Sequence, residues 1–393
     1  MALLDEVREY VNKSHANAWL RAGGKVPDEP GLVSSFLSKE MYRGLRRSLQ
    51  SYVTPGTSVM VRGIFTHQTP KVRLLHRKRS VEIADLMFVH QHFAASRRAP
   101  TSGRALLFQA KRTGTTWTGS VASGTQATQF ELYRDWAAFE GTVRLPASPV
   151  GDPHWDFREG GKVTQAMAVA AAEYMTVFDQ HAYSMAAANP QWAAPILNGP
   201  AHSTLARSFP ALCAWSAGSA PLPGSIPSRG VTCSVDFGTV FTDFLCGARG
   251  RPFNPGVLAG SDHWSIFVNR MLSISARPNG NYLYTSKNQN VTAGLRGRNV
   301  MFLQTEPVLW HAVEEEVERF LAGEAELDMP HFAVTNSLLA RISESHEETS
   351  DNPPPDNLSE ESFEPSSGGH VPVLLVVTVG DDDSPVFRQG ENG

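Results

Sequence analysis

The 393-residue sequence predicts an α/β fold centred on a mixed sheet, followed by a second, mainly helical α+β domain. Three features predict it. Apolar residues recur at helical spacing in two stretches of the first 145 positions, and three apolar, β-branched runs lie between those stretches. After about residue 150 the composition shifts toward alanine, proline and tryptophan. The length exceeds the roughly 100–200 residues of one domain, so two folded units are expected, 1–150 and 151–342.

In the first unit, Ser34 and Ser35 precede FLSKEMYRGLRRSLQSY, where Phe36, Leu37, Met41, Leu45 and Leu49 mark one helix and Pro55-Gly56 stops it. SVMVRGIF (58–65) reads as a strand. After the basic loop HRKRS, VEIADLMFV (81–89) reads as a second strand that carries two carboxylates among buried-looking residues. A loop with Arg97, Arg98, Pro100 and Gly103 leads to ALLFQAKR (105–112), and the two strands suggest a hairpin. A helix then spaces Phe130, Tyr133, Trp136 and Ala137 so as to cover one sheet face, and TVRL adds a short strand.

Beyond residue 153, KVTQAMAVAAAEYMTVFDQHAYSMAAA predicts a long helix by its alanine content. Val240–Cys246, His263–Ser275 and PVLWHAVEEEVERFLAGE read as further helices around a GARGRPFNPG turn region. Residues 343–369 are acidic, proline-rich and poor in apolar groups, which predicts a disordered linker. Residues 370–393 then open with HVPVLLVVTV, too short for a membrane span and suited to adding a strand to some sheet.

Charge is segregated along the chain. The total is -4, yet Lys39–Arg112 holds 15 Lys or Arg against Glu40, Glu82 and Asp85, and 313–393 holds 19 acids against three arginines. A basic block of that kind suggests a polyanion, because its cations displace counterions from phosphates. The three cysteines lack CxxC spacing, which argues against a zinc knuckle and for a reducing compartment. The N-terminus carries charge in its first turns and no uncharged apolar run is long enough for a membrane helix, so a soluble, cytoplasmic protein is expected. No GxxxxGK[ST] is present to suggest a nucleotide motor.

Chemistry concentrates at Asp85, Gln109 and Lys111. Gln109 and Lys111 share a strand face because side chains alternate, and Asp85 sits on the neighbouring strand. Phosphodiester hydrolysis uses such a set: hard oxygens hold Mg²⁺, and a lysine orients the nucleophile or offsets developing charge. The bland alternative is an Asp85–Lys111 salt bridge with no metal. Asp85 followed by Gln-Ala-Lys at 109–111 closely resembles the QxK, Mrr-like variant of the PD-(D/E)xK restriction-endonuclease superfamily, over about a third of the chain. The resemblance implies a restriction-endonuclease-like αβββαβ core, which agrees with the order of elements read above. It also implies a metal held by Asp85, Gln109 and a first-helix glutamate, for which Glu40 is the acid in the helix as read. Glu82 competes for that role only if the strand is irregular, since three residues from Asp85 it would otherwise face away.

The expectation is therefore a Mg²⁺-dependent endonuclease, Mn²⁺ serving as a substitute, that acts on DNA in preference to RNA. By analogy it falls among restriction or antiphage effectors, with a homo-oligomeric state and a regulatory partner protein. Gln129, at the start of the second helix, is placed to help position DNA. His67, His76, His90 and His92 are expected to contact phosphate or solvent, and Ser261-Asp262-His263 reads as a helix cap and not a triad. The acidic tail could occupy the basic groove, so removing 343–393 would raise activity. Two rival readings remain open: a non-catalytic nucleic-acid-binding protein with a nuclease-like fold, and an interaction protein acting wholly through residues 152–330.

Overall fold

The computed structural model describes residues 2–21, 26–64, 70–94, 100–114, 118–119, 121, 123–143, 145, 154–158, 161–164, 170–179, 213–227, 230–275, 371–381 and 387. The helices are α1 (Leu3–Arg21), α2 (Glu29–Phe36), α3 (Lys39–Gln50), α4 (Gly124–Asp135), α5 (Phe237–Leu245) and α6 (His263–Ser275). The longer strands are β1 (Ser58–Ile64), β2 (Lys71–Leu74), β4 (Leu86–Ala94), β5 (Pro100–Thr113), β7 (Phe139–Val143), β8 (Ala172–Phe178), β9 (Trp215–Ser219) and β13 (Val373–Gly380). Short strands are β3 (Val81–Glu82), β6 (Thr118–Gly119), β10 (Val231–Thr232), β11 (Val235–Asp236) and β12 (Arg251–Phe253).

The fold is α/β with a mixed sheet. Its main sheet runs β1-β13-β4-β5-β8-β9-β11, with β12 joined to β5. The β4–β5 pair is the expected antiparallel hairpin, whereas β13 on β4 and β8 on β5 are parallel. A smaller sheet, β3-β2-β7, stands apart. Alternation along the central strands separates two cores. Leu86, Phe88, Leu106, Phe108 and Leu374 face α1, α2, α3 and α5. Met87, Val89, Leu107, Tyr174 and Leu375 face α4, α6 and the small sheet. Burying both faces explains why β13 is a nearly unbroken apolar run, as central parallel strands are.

Four expectations change. The single helix expected from Phe36 is two, since Leu37 closes α2 and Ser38, in extended backbone, opens α3. The strand expected over 81–89 breaks after Glu82 and resumes at Leu86. The long alanine-rich helix is instead strand β8 over Ala172–Phe178, because a slot between β5 and β9 buries all seven residues and outweighs local propensity. The main sheet also runs through the boundary expected at residue 150, since β8, β9, β11 and β13 extend it beyond β1, β4 and β5. The helices expected over Val240–Cys246 and His263–Ser275 are present as α5 and α6, and Asp262 caps α6 by accepting the Ser265 N–H at 3.0 Å. The expected helix at 307–324 and linker at 343–369 lie outside the described residues.

Candidate active site

The β4–β5 register sets the site. Leu86 pairs with Phe108, and the Asp85 N–H continues the ladder to the Phe108 carbonyl at 2.9 Å, which brings Asp85 opposite Gln109. Asp85 Oδ2 accepts the Ala110 N–H at 2.8 Å and the amide N–H of Gln109. Both bonds fall on Oδ2, and among the described residues no hydrogen bond falls on Oδ1. Because the Gln109 amide nitrogen is committed to Asp85, its Oε1 is fixed as an acceptor, and this atom is buried with no hydrogen-bond partner.

The break between β3 and β4 decides where Glu82 goes. Helix α4 pins it: the Tyr133 hydroxyl donates to the Ile83 carbonyl at 2.7 Å, and Gln129 Nε2 reaches the Glu82 carbonyl at 3.5 Å. A regular strand would turn Glu82 away from Asp85; the irregular one brings the two carboxylates into electrostatic range. Burial, then Asp85, push Glu82 up to about 7, against the pull of Lys71 and Lys111.

A third carboxylate arrives from the opposite helical layer. Asp28 caps α2 by accepting the Gly31 N–H at 2.9 Å, and proline stands in the first turn, so the helix begins at Glu29. Glu29 reaches the end of β5, where its Oε2 accepts the Arg112 N–H at 3.1 Å. Burial and the nearby Asp85 push Glu29 up to about 8, opposed by Lys111 and the Arg112 N–H. Burial likewise raises Asp85, opposed by Lys111, the Ala110 N–H and Gln109.

Lys111 is 8% exposed and acts on all three acids. Among the described residues none of the direct ion pairs involves it, so the simple Asp85–Lys111 salt bridge is not what the structure holds. The sequence thus located Asp85, Gln109 and Lys111, which the fold brings together. The Glu40 side chain lies outside the described residues, its backbone being in the first turn of α3; among the described residues the helical acid near Asp85 and Lys111 is Glu29. Glu29 was missed although Asp28-Glu29-Pro30 is a helix-start signature. Tyr133 was missed because a tyrosine at helical spacing reads as core.

Among the described residues, the histidines expected near the site bond elsewhere. His76 bonds Glu131 Oε1 at 2.8 Å, and His90 and His92 meet the Thr378 hydroxyl of β13 at 2.9 and 3.0 Å; His67 lies outside the described residues. A cavity of about 520 Å³ lined by Asp156, Arg158, Arg251, His263 and Trp264 contains none of the three acids.

The donor set fits a hard divalent cation. Three carboxylates raised by burial and, for the two glutamates, by Asp85 are the condition a cation relieves, and Asp85 Oδ1 with the orphaned Gln109 Oε1 supplies oxygen ligands. Among the described residues no three His, Cys, Asp or Glu side chains close on one point. The chain matches no family profile, curated protein or solved structure.

Proposed function

We propose that this protein is a metal-dependent endonuclease of the PD-(D/E)xK type, QxK variant, that hydrolyses DNA phosphodiester bonds. One observation carries the reading: Lys111 acts on three half-buried carboxylates, Asp85, Glu29 and Glu82, beside an unpartnered buried amide oxygen of Gln109, at the shared end of two paired strands. Asp85, Gln109 and one of the two glutamates would hold Mg²⁺ or Mn²⁺. Bound there, the ion supplies Lewis acidity and a water of lowered pKa. Lys111 offsets the charge that builds on the phosphate oxygens and orients the attacking water. Tyr133 and Gln129 fix the backbone on which Glu82 is presented. The basic block from Lys39 to Arg112 supports a nucleic-acid partner, and by analogy alone the protein falls among restriction or antiphage effectors.

The test is cleavage of supercoiled plasmid with Mg²⁺ or Mn²⁺, beside EDTA and the Asp85→Ala and Lys111→Ala variants. Metal-dependent cutting that both substitutions abolish supports the reading; cutting that survives either substitution places the chemistry elsewhere. A second reading, a nucleic-acid-binding protein that keeps the arrangement without cutting, is favoured by Gln109 standing where the (D/E)xK pattern has a carboxylate. It predicts DNA binding unchanged by EDTA and no cutting under any metal.

A further inference from the structure

Tyr174 lies within electrostatic range of Asp85 and has no role in the set of residues assigned above. It lies on β8, paired in register with Gln109, so the two side chains leave the same face from strands about 4.8 Å apart. Its ring packs on Tyr133 at a centroid distance of 5.7 Å, and the Tyr133 hydroxyl is the one bound to Ile83 beside Asp85. Tyr174 is fully buried and its hydroxyl has no hydrogen-bond partner. The adjacent Gln109 Oε1 is orphaned in the same way. Leaving a buried hydroxyl and a buried amide oxygen unpaired is costly, and a phenylalanine at 174 would remove half of that cost while filling the same space. Two orphans on directly paired residues, one able to donate and one able to accept, match the two sides of a single water molecule, and the second lone pair of Gln109 Oε1 stays open to that water when the first is given to a metal. Bound water at buried polar groups makes about three hydrogen bonds, and a lone pair of Asp85 Oδ1 not given to the metal supplies the third.

We propose that Tyr174 is a positioning residue: its hydroxyl donates to a water that in turn donates to Gln109 Oε1, and this held water is the nucleophile, its oxygen bonding to phosphorus as the bond from phosphorus to the leaving sugar oxygen breaks, with the water proton passing to solvent and the leaving oxygen taking one from solvent. The inference rests on the nuclease reading. Removing the hydroxyl leaves the metal ligands intact and takes away the orientation of the water, so the loss falls on turnover and not on substrate or metal binding.

The experiment compares wild type, Tyr174→Phe and Asp85→Ala by three readouts: the melting temperature without metal, the rise in melting temperature on adding Mn²⁺, and kcat and KM on a linear duplex. For Tyr174→Phe we expect a metal-free melting temperature equal to or above wild type, an unchanged Mn²⁺ response, an unchanged KM, and kcat reduced on the order of 10²-fold, as when one positioned donor is lost. Asp85→Ala loses both the Mn²⁺ response and cutting. A Tyr174→Phe variant that cuts like wild type overturns the inference alone. So does one whose lost activity tracks a lowered metal-free melting temperature, because the hydroxyl then serves the fold. A wild-type protein with neither Mn²⁺ response nor cutting overturns the nuclease reading, and the inference with it.

Discussion

Glu29 accepts the backbone N–H of Arg112 at 3.1 Å, and this one bond fastens the start of a helix on one side of the sheet to the strand that carries Lys111 on the other. The carboxylate is thereby held among like charges. Its ordinary value of 4.5 is pushed up to about 8 by burial and Asp85, and that of Glu82 to about 7. Both groups bind their protons more tightly folded than unfolded, so they favour folding in acid. That stabilisation is complete below about pH 4.5 and is lost as pH rises through 7 and 8. In EDTA the melting temperature should fall between about pH 5 and pH 9, and Glu29→Gln should flatten the upper part of the fall. Mn²⁺ should raise the melting temperature more at pH 8 than at pH 6, since ligation needs ionised carboxylates. Equal Mn²⁺ effects at the two pH values would contradict this account.

Gln109→Glu should separate metal affinity from stability. The substitution removes the amide N–H that Asp85 Oδ2 accepts and adds a fourth carboxylate to the site. Without metal the variant should melt below wild type by an amount set by the lost bond and the added repulsion, about 1–3 kcal/mol. With Mn²⁺ the difference should shrink or reverse, because the new carboxylate is a stronger ligand than an amide oxygen. Isothermal titration with Mn²⁺ reads the affinity directly.

Tyr133→Phe tests the hold that α4 has on the strand break. Its hydroxyl is the donor to the Ile83 carbonyl, and an unpaired buried carbonyl costs about 1–3 kcal/mol. Beyond that loss of stability, Glu82 should regain freedom, so activity at neutral pH should drop while DNA affinity stays within about twofold, the scatter expected of a change that touches no phosphate contact. A variant with lowered stability and unchanged turnover would show that Glu82 does not contribute to the site.

Deleting residues 343–393 should unfold the chain instead of activating it, because the deletion takes β13 out from between β1 and β4. Circular dichroism and solubility check this. Inhibition by the acidic segment is better read by replacing the acids between 343 and 369 with amides, which keeps β13; the expected result is faster plasmid cutting at low salt. The rival in which residues 152–330 act alone meets the same difficulty, since β8 pairs with β5 along seven residues.

The legible parts of this fold were those in which sequence neighbours pair with each other. The β4–β5 hairpin and the triplet of Asp85, Gln109 and Lys111 follow from alternation and from the order of apolar runs. The C-terminal valine run announced a strand, though not its central place between β1 and β4. What stayed hidden was set by partners distant in sequence. Ala172–Phe178 carries residues acceptable to a helix, and only the slot beside β5 decides for a strand. Ile83–Asp85 looks like uninterrupted strand because its departure is imposed by Tyr133 of α4. Glu29 was readable from its capping signature, yet nothing local says that a helix start will sit over the end of a strand 80 residues later.

β13 also bears on how the molecule comes into being. Its partner β4 ends at Ala94, and β13 begins at Val373, so at 5–20 residues per second roughly 15–55 s of translation separate the two. Throughout that interval the nascent chain offers β1 and β4 as bare sheet edges, which invite pairing with other chains. Assembly of the central sheet is in this sense a late event in the life of the polypeptide, and the ribosome-bound chain is the form in which a chaperone would have most to protect.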